Sequence, residues 1–261
     1  MSVLDKITEA DKVQRPASDP AWGDRSRGEA RWPASLAVAA AALLSLLLPP
    51  MFTLQALPEA LELSFGRHQE WFHFLLPALE LALLVVLTIA APRRRPGEPR
   101  LLRYGAVAII ALVNIANIIS LFLLVRVLLH PDVLNQGGKK ITLTGEEILI
   151  PSINVWLTNV LVFGLWYWEL DRGGPDDRSH PRHRRPDFLF PQMTTPHCTH
   201  EHWTPSFMDY LYVAFTNATA FSPTDTMPLT PWAKMLMTIQ SLASLLTVAL
   251  VAARAVNILG Q

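Results

Sequence analysis

Tyr212-Val-Ala-Phe-Thr-Asn-Ala-Thr-Ala-Phe-Ser-Pro-Thr-Asp-Thr-Met-Pro-Leu-Thr-Pro-Trp-Ala-Lys234 is the stretch on which the reading of this chain turns. It ends an apolar, Thr-rich helix that begins near Ser206, passes through a turn-prone segment, and opens a longer apolar helix that runs to Gly260. Ser222-Pro223-Thr224-Asp225 has turn chemistry: proline at the second position fixes φ, and an Asp carboxylate can accept backbone N–H bonds.

The surroundings of this stretch are those of a membrane protein. Of 261 residues, 51% are apolar, and the mean hydropathy of +0.26 is positive. Besides Phe207–Phe221 and Trp232–Leu259, four apolar runs stand out: Ala34–Leu57, Trp71–Ala91, Tyr104–Leu129 and Ile150–Leu170. Each has about the 20 residues needed to cross a hydrocarbon core of about 30 Å. Pro49-Pro50 should end or kink the first helix, and Trp166-Tyr167-Trp168 is the kind of sequence that anchors a span at the membrane surface. The expected fold is an all-α polytopic membrane bundle of six spans, with five spans plus a re-entrant helix as the alternative. Its parts are a disordered cytoplasmic tail (1–33), a four-span bundle (34–170), an irregular cytoplasmic linker (171–205) and a helical hairpin (206–261). The tail is too long and too acidic to head a signal peptide, and the first apolar run is read as retained.

Lys plus Arg and Asp plus Glu balance at 22 each, so net charge identifies no partner, but its distribution orients the chain. With six crossings and a cytoplasmic N-terminus, 17 basic residues face inward: six in the tail, five in Pro92–Arg103, five in Asp171–Pro205, and Arg254. Four face outward, Arg67, Lys139, Lys140 and Lys234, while Arg126 lies within the third span. This is a strong positive-inside bias and puts both termini in the cytoplasm. A channel-type pore loop opening outward would force the basic tail and loop outside, and the charges oppose that.

From Ala218 to Asp225 the chain lies in register with the Ala-Thr-Thr-Val-Gly-Tyr-Gly-Asp filter of potassium channels, and Pro228, Thr230, Trp232 and Lys234 continue the register. Over about 50 residues it resembles that family's pore module. The pore-like positions are Thr219, Ala220, Phe221, Ser222, Pro223, Thr224 and Asp225. Potassium filters aim backbone carbonyls at the axis and rely on glycines that tolerate positive φ. Here Ser222 and Thr224 hold both glycine positions and Pro223 lacks an N–H, so this segment should not select potassium. The chain as a whole is also similar to a bacterial family of predicted integral membrane proteins of unknown function. The similarity rests on Trp166-Tyr-Trp-Glu-Leu-Asp-Arg-Gly-Gly174, Phe188-Leu-Phe-Pro-Gln192 and Asp209-Tyr-Leu-Tyr-Val-Ala-Phe-Thr216.

Counted inward at about 1.5 Å per residue, Glu80, Asn114, Asn117, Asn159, Asn217 and Ser244 share one level about 15–20 Å deep. An ionisable group at that depth is costly and suggests proton or cation handling centred on Glu80. The alternative is hydrogen-bonded glue between helices. His197, Cys198, His200 and His202 are metal-type ligands in a loop, but their spacing matches no closed site, so no metal or cofactor is expected. The lone cysteine excludes an intrachain disulfide. No catalytic constellation or nucleic-acid motif appears. The expectation is a non-enzymatic, channel-like or transport-related protein of a bacterial inner membrane, with the lipid bilayer and a homo-oligomer as candidate partners. A non-conducting structural or interaction protein is the alternative.

Overall fold

The computed structural model of the chain describes residues 32–48, 78, 82, 100–129, 145–179, 185–195, 203–219 and 225–259. It is mostly helical. The elements are α1 (Trp32–Leu47), α2 (Arg100–Leu129), α3 (Gly145–Leu170), a 3-10 turn (Asp171–Gly173) and α4 (Pro175–Ser179). They continue with β1 (Phe188–Leu189), α5 (Pro191–Thr194), α6 (Phe207–Thr219), β2 (Met227–Pro228) and α7 (Pro231–Leu259). Among the described residues three helical stretches are long and apolar enough to cross a membrane: Val107–Arg126, Ile148–Gly173 and Pro231–Ala253. The helix α1 ends at Leu47, two residues before Pro49, as the steric restriction ahead of proline requires.

The central element is α3, which packs against α1, α2, α6 and α7. Its span is 67% buried, against 17% for that of α7. Small residues allow close approach: a Cβ on Gly164 would lie 3.3 Å from the Leu211 Cα of α6. The core at the C-terminal end of α3 joins Val38, Val113, Phe163, Tyr167, Phe207 and Tyr210. A smaller cluster at its N-terminal end joins Leu48, Leu124, Ile148 and Val155.

These contacts fix directions. Early residues of α1 and α2 meet late residues of α3, and late ones meet early ones, so both run antiparallel to it. The helix α6 begins beside the end of α3, where Trp168 and Phe207 rings lie 6.0 Å apart. The helix α7 begins at that same end and reaches Asn159 of α3 only at Ser244. The pair α6 and α7 therefore runs parallel. The expected six-crossing hairpin requires them antiparallel and does not form among the described residues, where Asp225 lies at the end where Phe207 began. As a consequence α1 starts and α7 finishes at opposite ends of the bundle.

The stretch read as an irregular linker, 171–205, carries in its described residues the 3-10 turn, α4, β1 and α5. Strand β1 pairs antiparallel with β2, Phe188 opposite Pro228. Phe188 and Phe190 are buried against Tyr167 and Tyr210, with ring centroids 5.1 Å and 5.3 Å apart. This also changes the role of the aromatic end of α3. Tyr167 and Trp168 are 0% and 1% exposed and form core contacts instead of a surface anchor. The 1–33 tail falls almost wholly outside the described residues.

Candidate functional site

Two polar layers hold α6 between α3 and α7. The outer layer is built by the turn after α3, where Arg172, Gly173 and Gly174 have φ of 54°, 89° and 96°. Glycine tolerates this left-handed run, whereas Arg172 adopts it at a steric cost. Side-chain and backbone bonds offset that cost. The Arg172 N–H donates to Asp187 Oδ2 at 3.0 Å, and the Asp187 N–H donates to Asp171 Oδ1 at 2.8 Å. The Thr230 hydroxyl donates to Asp187 Oδ1 at 2.7 Å, and the Leu229 N–H donates to the Asp187 carbonyl at 2.8 Å. Asp187 thereby ties the end of α3, strand β1 and the start of α7 into one knot.

The same turn clamps the start of α6. The Tyr210 hydroxyl donates to Asp171 Oδ2 at 2.6 Å, and the Arg178 guanidinium lies 5.1 Å from the Tyr210 ring centroid. Arg178 also donates to the carbonyls of Trp168 and Asp171, at 2.6 Å and 3.0 Å, closing the C-terminus of α3. Asp209 accepts both the N–H and hydroxyl of Ser206, at 2.7 Å and 2.8 Å, and places a negative charge in the first turn of α6.

The inner layer lies one to two turns deeper. Gln240, fully buried, accepts at Oε1 from the Tyr167 hydroxyl at 2.6 Å and from Asn217 Nδ2 at 2.7 Å. Its Nε2 donates to the Ala214 carbonyl at 2.8 Å. Asn217 Nδ2 also donates to the Met237 carbonyl at 2.9 Å, and Asn217 Oδ1 accepts from Ser241 at 3.0 Å. Below this, Asn159 Nδ2 donates to Ser244 Oγ at 2.7 Å, and Asn154 Nδ2 donates to the Leu44 carbonyl of α1 at 2.6 Å. Apolar surroundings make an unpaired amide expensive, and here each of these amides finds partners.

Of the residues expected to share the membrane midplane, Asn159 and Ser244 meet directly, and Asn217 joins the seam through Gln240. Asn114 and Asn117 are buried on α2, where Asn114 Oδ1 has no partner among the described residues. Glu80 lies outside the described residues, as do His197, Cys198, His200 and His202. Of the pore-like positions, Thr219 closes α6, its hydroxyl donating to the Thr216 carbonyl at 2.8 Å, and Asp225 is exposed. Ala220, Phe221, Ser222, Pro223 and Thr224 lie outside the described residues. Sequence reasoning passes over Gln240 and Asp187, and it reads Tyr167 as a surface anchor where the hydroxyl instead bonds Gln240. Gln240 carried a signal, as a lone amide within an apolar span. Asp187 carried none, because its partners lie 15 and 43 residues away in sequence.

Among the described residues no group of three or more His, Cys, Asp or Glu side chains could hold a metal ion. What the layers do chemically is position a short helix inside the bundle with its polar face saturated. No family profile, curated protein or solved structure matches this chain.

Proposed function

We propose that this chain is a membrane protein of channel-like or transport-related type, built on five crossings and a re-entrant α6. Its pore-like segment dips in from the basic, cytoplasmic side. The observation that carries this reading is the shared starting end of α6 and α7. The helix α6 has 13 residues, about 20 Å of helix, which is short for a crossing and suited to reaching mid-depth. The non-consensus positions Ala220–Thr224 follow directly, so a conducting path would not be potassium-selective.

Charge supports this orientation as well as it supports six crossings. Reversing α7 moves Lys234 inside and Arg254 outside, and the totals stay at 17 and four. The opposed directions of α1 and α3, and the parallel run of α1 and α2, fit crossings that alternate. The C-terminus then faces outside, in a bacterial inner membrane.

The test is side-specific labelling of single cysteines in a Cys198→Ser background. Arg185→Cys and Asp225→Cys should react from the cytoplasmic side, and a cysteine appended after Gln261 from the outside. Labelling of 185 and 225 from opposite sides would restore six crossings. Ion flux in proteoliposomes tests conduction. A second reading, a non-conducting scaffold, is favoured by the saturated Tyr167–Asn217–Gln240–Ser241 seam, which leaves no free polar group to a passing ion. Absence of flux for both cations and anions would establish that reading instead.

A further inference from the structure

We infer that the groove between α6 and α7 is a binding site for an anionic phospholipid of the cytoplasmic leaflet. The groove has a volume of about 390 Å³ and is lined by Asn217, Lys234, Thr238, Ser241, Leu242 and Leu245, among others. From Lys234 to Leu245 it follows α7 for about 16 Å, three turns on one face. Its polarity is graded. Lys234 stands at the basic end of the bundle, one turn inside the start of α7. Leu242 and Leu245, 62% and 56% exposed, line the deep end. Trp232, 70% exposed, marks the level of the membrane surface.

Charge and graded polarity select the occupant: the groove offers a cation at one end and exposed leucines at the other, which matches a charged headgroup followed by an acyl chain. The Lys234 ammonium has no partner among the described residues, and the cytoplasmic leaflet is the one that carries anionic headgroups. The other polar groups are already committed: Thr238 donates to the Lys234 carbonyl at 2.9 Å and Ser241 to Asn217 at 3.0 Å. Recognition therefore rests on headgroup charge alone, so any anionic phospholipid serves.

This inference rests on the placement of α7 proposed above, and it is independent of conduction. It is tested with the full chain reconstituted in phosphatidylcholine, with and without phosphatidylglycerol. Phosphatidylglycerol should raise Tm by about 3 °C, and native mass spectrometry should show it enriched roughly fivefold among retained lipids. Lys234→Gln should abolish both effects and Lys234→Arg should keep them. Leu242→Trp, which fills the groove, should release the lipid. Glycerol phosphate added to phosphatidylcholine should reproduce neither effect, and if it does, the site is one for free phosphate esters. An equal response in Lys234→Gln would reduce the effect to bulk surface charge and overturn the site. A particle mass of two or more chains that falls to one in Leu242→Trp would assign the groove to a second copy. If these results fail while 185 and 225 still label from the cytoplasmic side, the lipid site is wrong and the topology stands.

Discussion

The Asp187 carboxylate receives the Arg172 N–H and the Thr230 hydroxyl, while its own backbone bonds Asp171 and Leu229. Hydrogen bonds to a charged acceptor are each worth about 1.5–3 kcal/mol. Asp187→Ala should therefore cost about 2–3 kcal/mol, read as a fall of several degrees in Tm, and Asp187→Asn should recover part of it. An unchanged Tm would mean that the knot is ornamental. Gln240→Leu leaves Asn217, Tyr167 and the Ala214 carbonyl short of partners at a fully buried position. It should lower stability by about 1–2 kcal/mol, consistent with modest interhelical bonds between membrane helices. Sequence could reveal Gln240, because an amide in an apolar span must pair. It could not reveal Asp187, an ordinary acid in a Pro-rich stretch whose importance comes only from what the fold brings to it.

At the scale of the element, α6 depends on its fit against α3. A Cβ at Gly164 would meet both backbone and side chain of Leu211 at 3.3 Å. Gly164→Leu should push α6 outward and destabilise by about 1–3 kcal/mol, with Gly164→Ala milder, measured by Tm and by protease sensitivity after Phe207. Equal stability of all three would show that the helices are not in close register. The helices themselves were legible: apolar length predicts α2, α3 and α7 to within five residues, while α1 ends at the Pro49 stop, ten residues short of the Leu57 that its apolar run suggests. The direction of α7 relative to α6 was not. Lys234 and Arg254 sit near opposite ends of the same helix and simply exchange sides when it is reversed, so charge counting is blind to the difference. The aromatic end of α3 was misleading for a related reason. Trp and Tyr suit a membrane surface and a packed core equally, and Phe188 and Phe190 decided the outcome by covering them.

At the scale of the molecule, α1, α2, α6 and α7 begin, and α3 finishes, at the end that carries Arg172, Arg178, Arg185 and Lys234. Reporters fused to the two termini should then read opposite compartments, an N-terminal one cytoplasmic and a C-terminal one external; both cytoplasmic would refute the five-crossing arrangement. The short α6 adds an electrical consequence. Peptide dipoles aligned along a helix place roughly half a negative charge at its C-terminal carbonyls. In a helix that spans a membrane this pole rests in water and is screened. Here α6 ends at Thr219, about 18 Å along the bundle from Phe207, and in the proposed five-crossing arrangement screening there is weak. In that arrangement the interior of the bundle carries a built-in negative pole even without an ionised side chain. Any small solute resting against that end would be favoured as a cation and opposed as an anion.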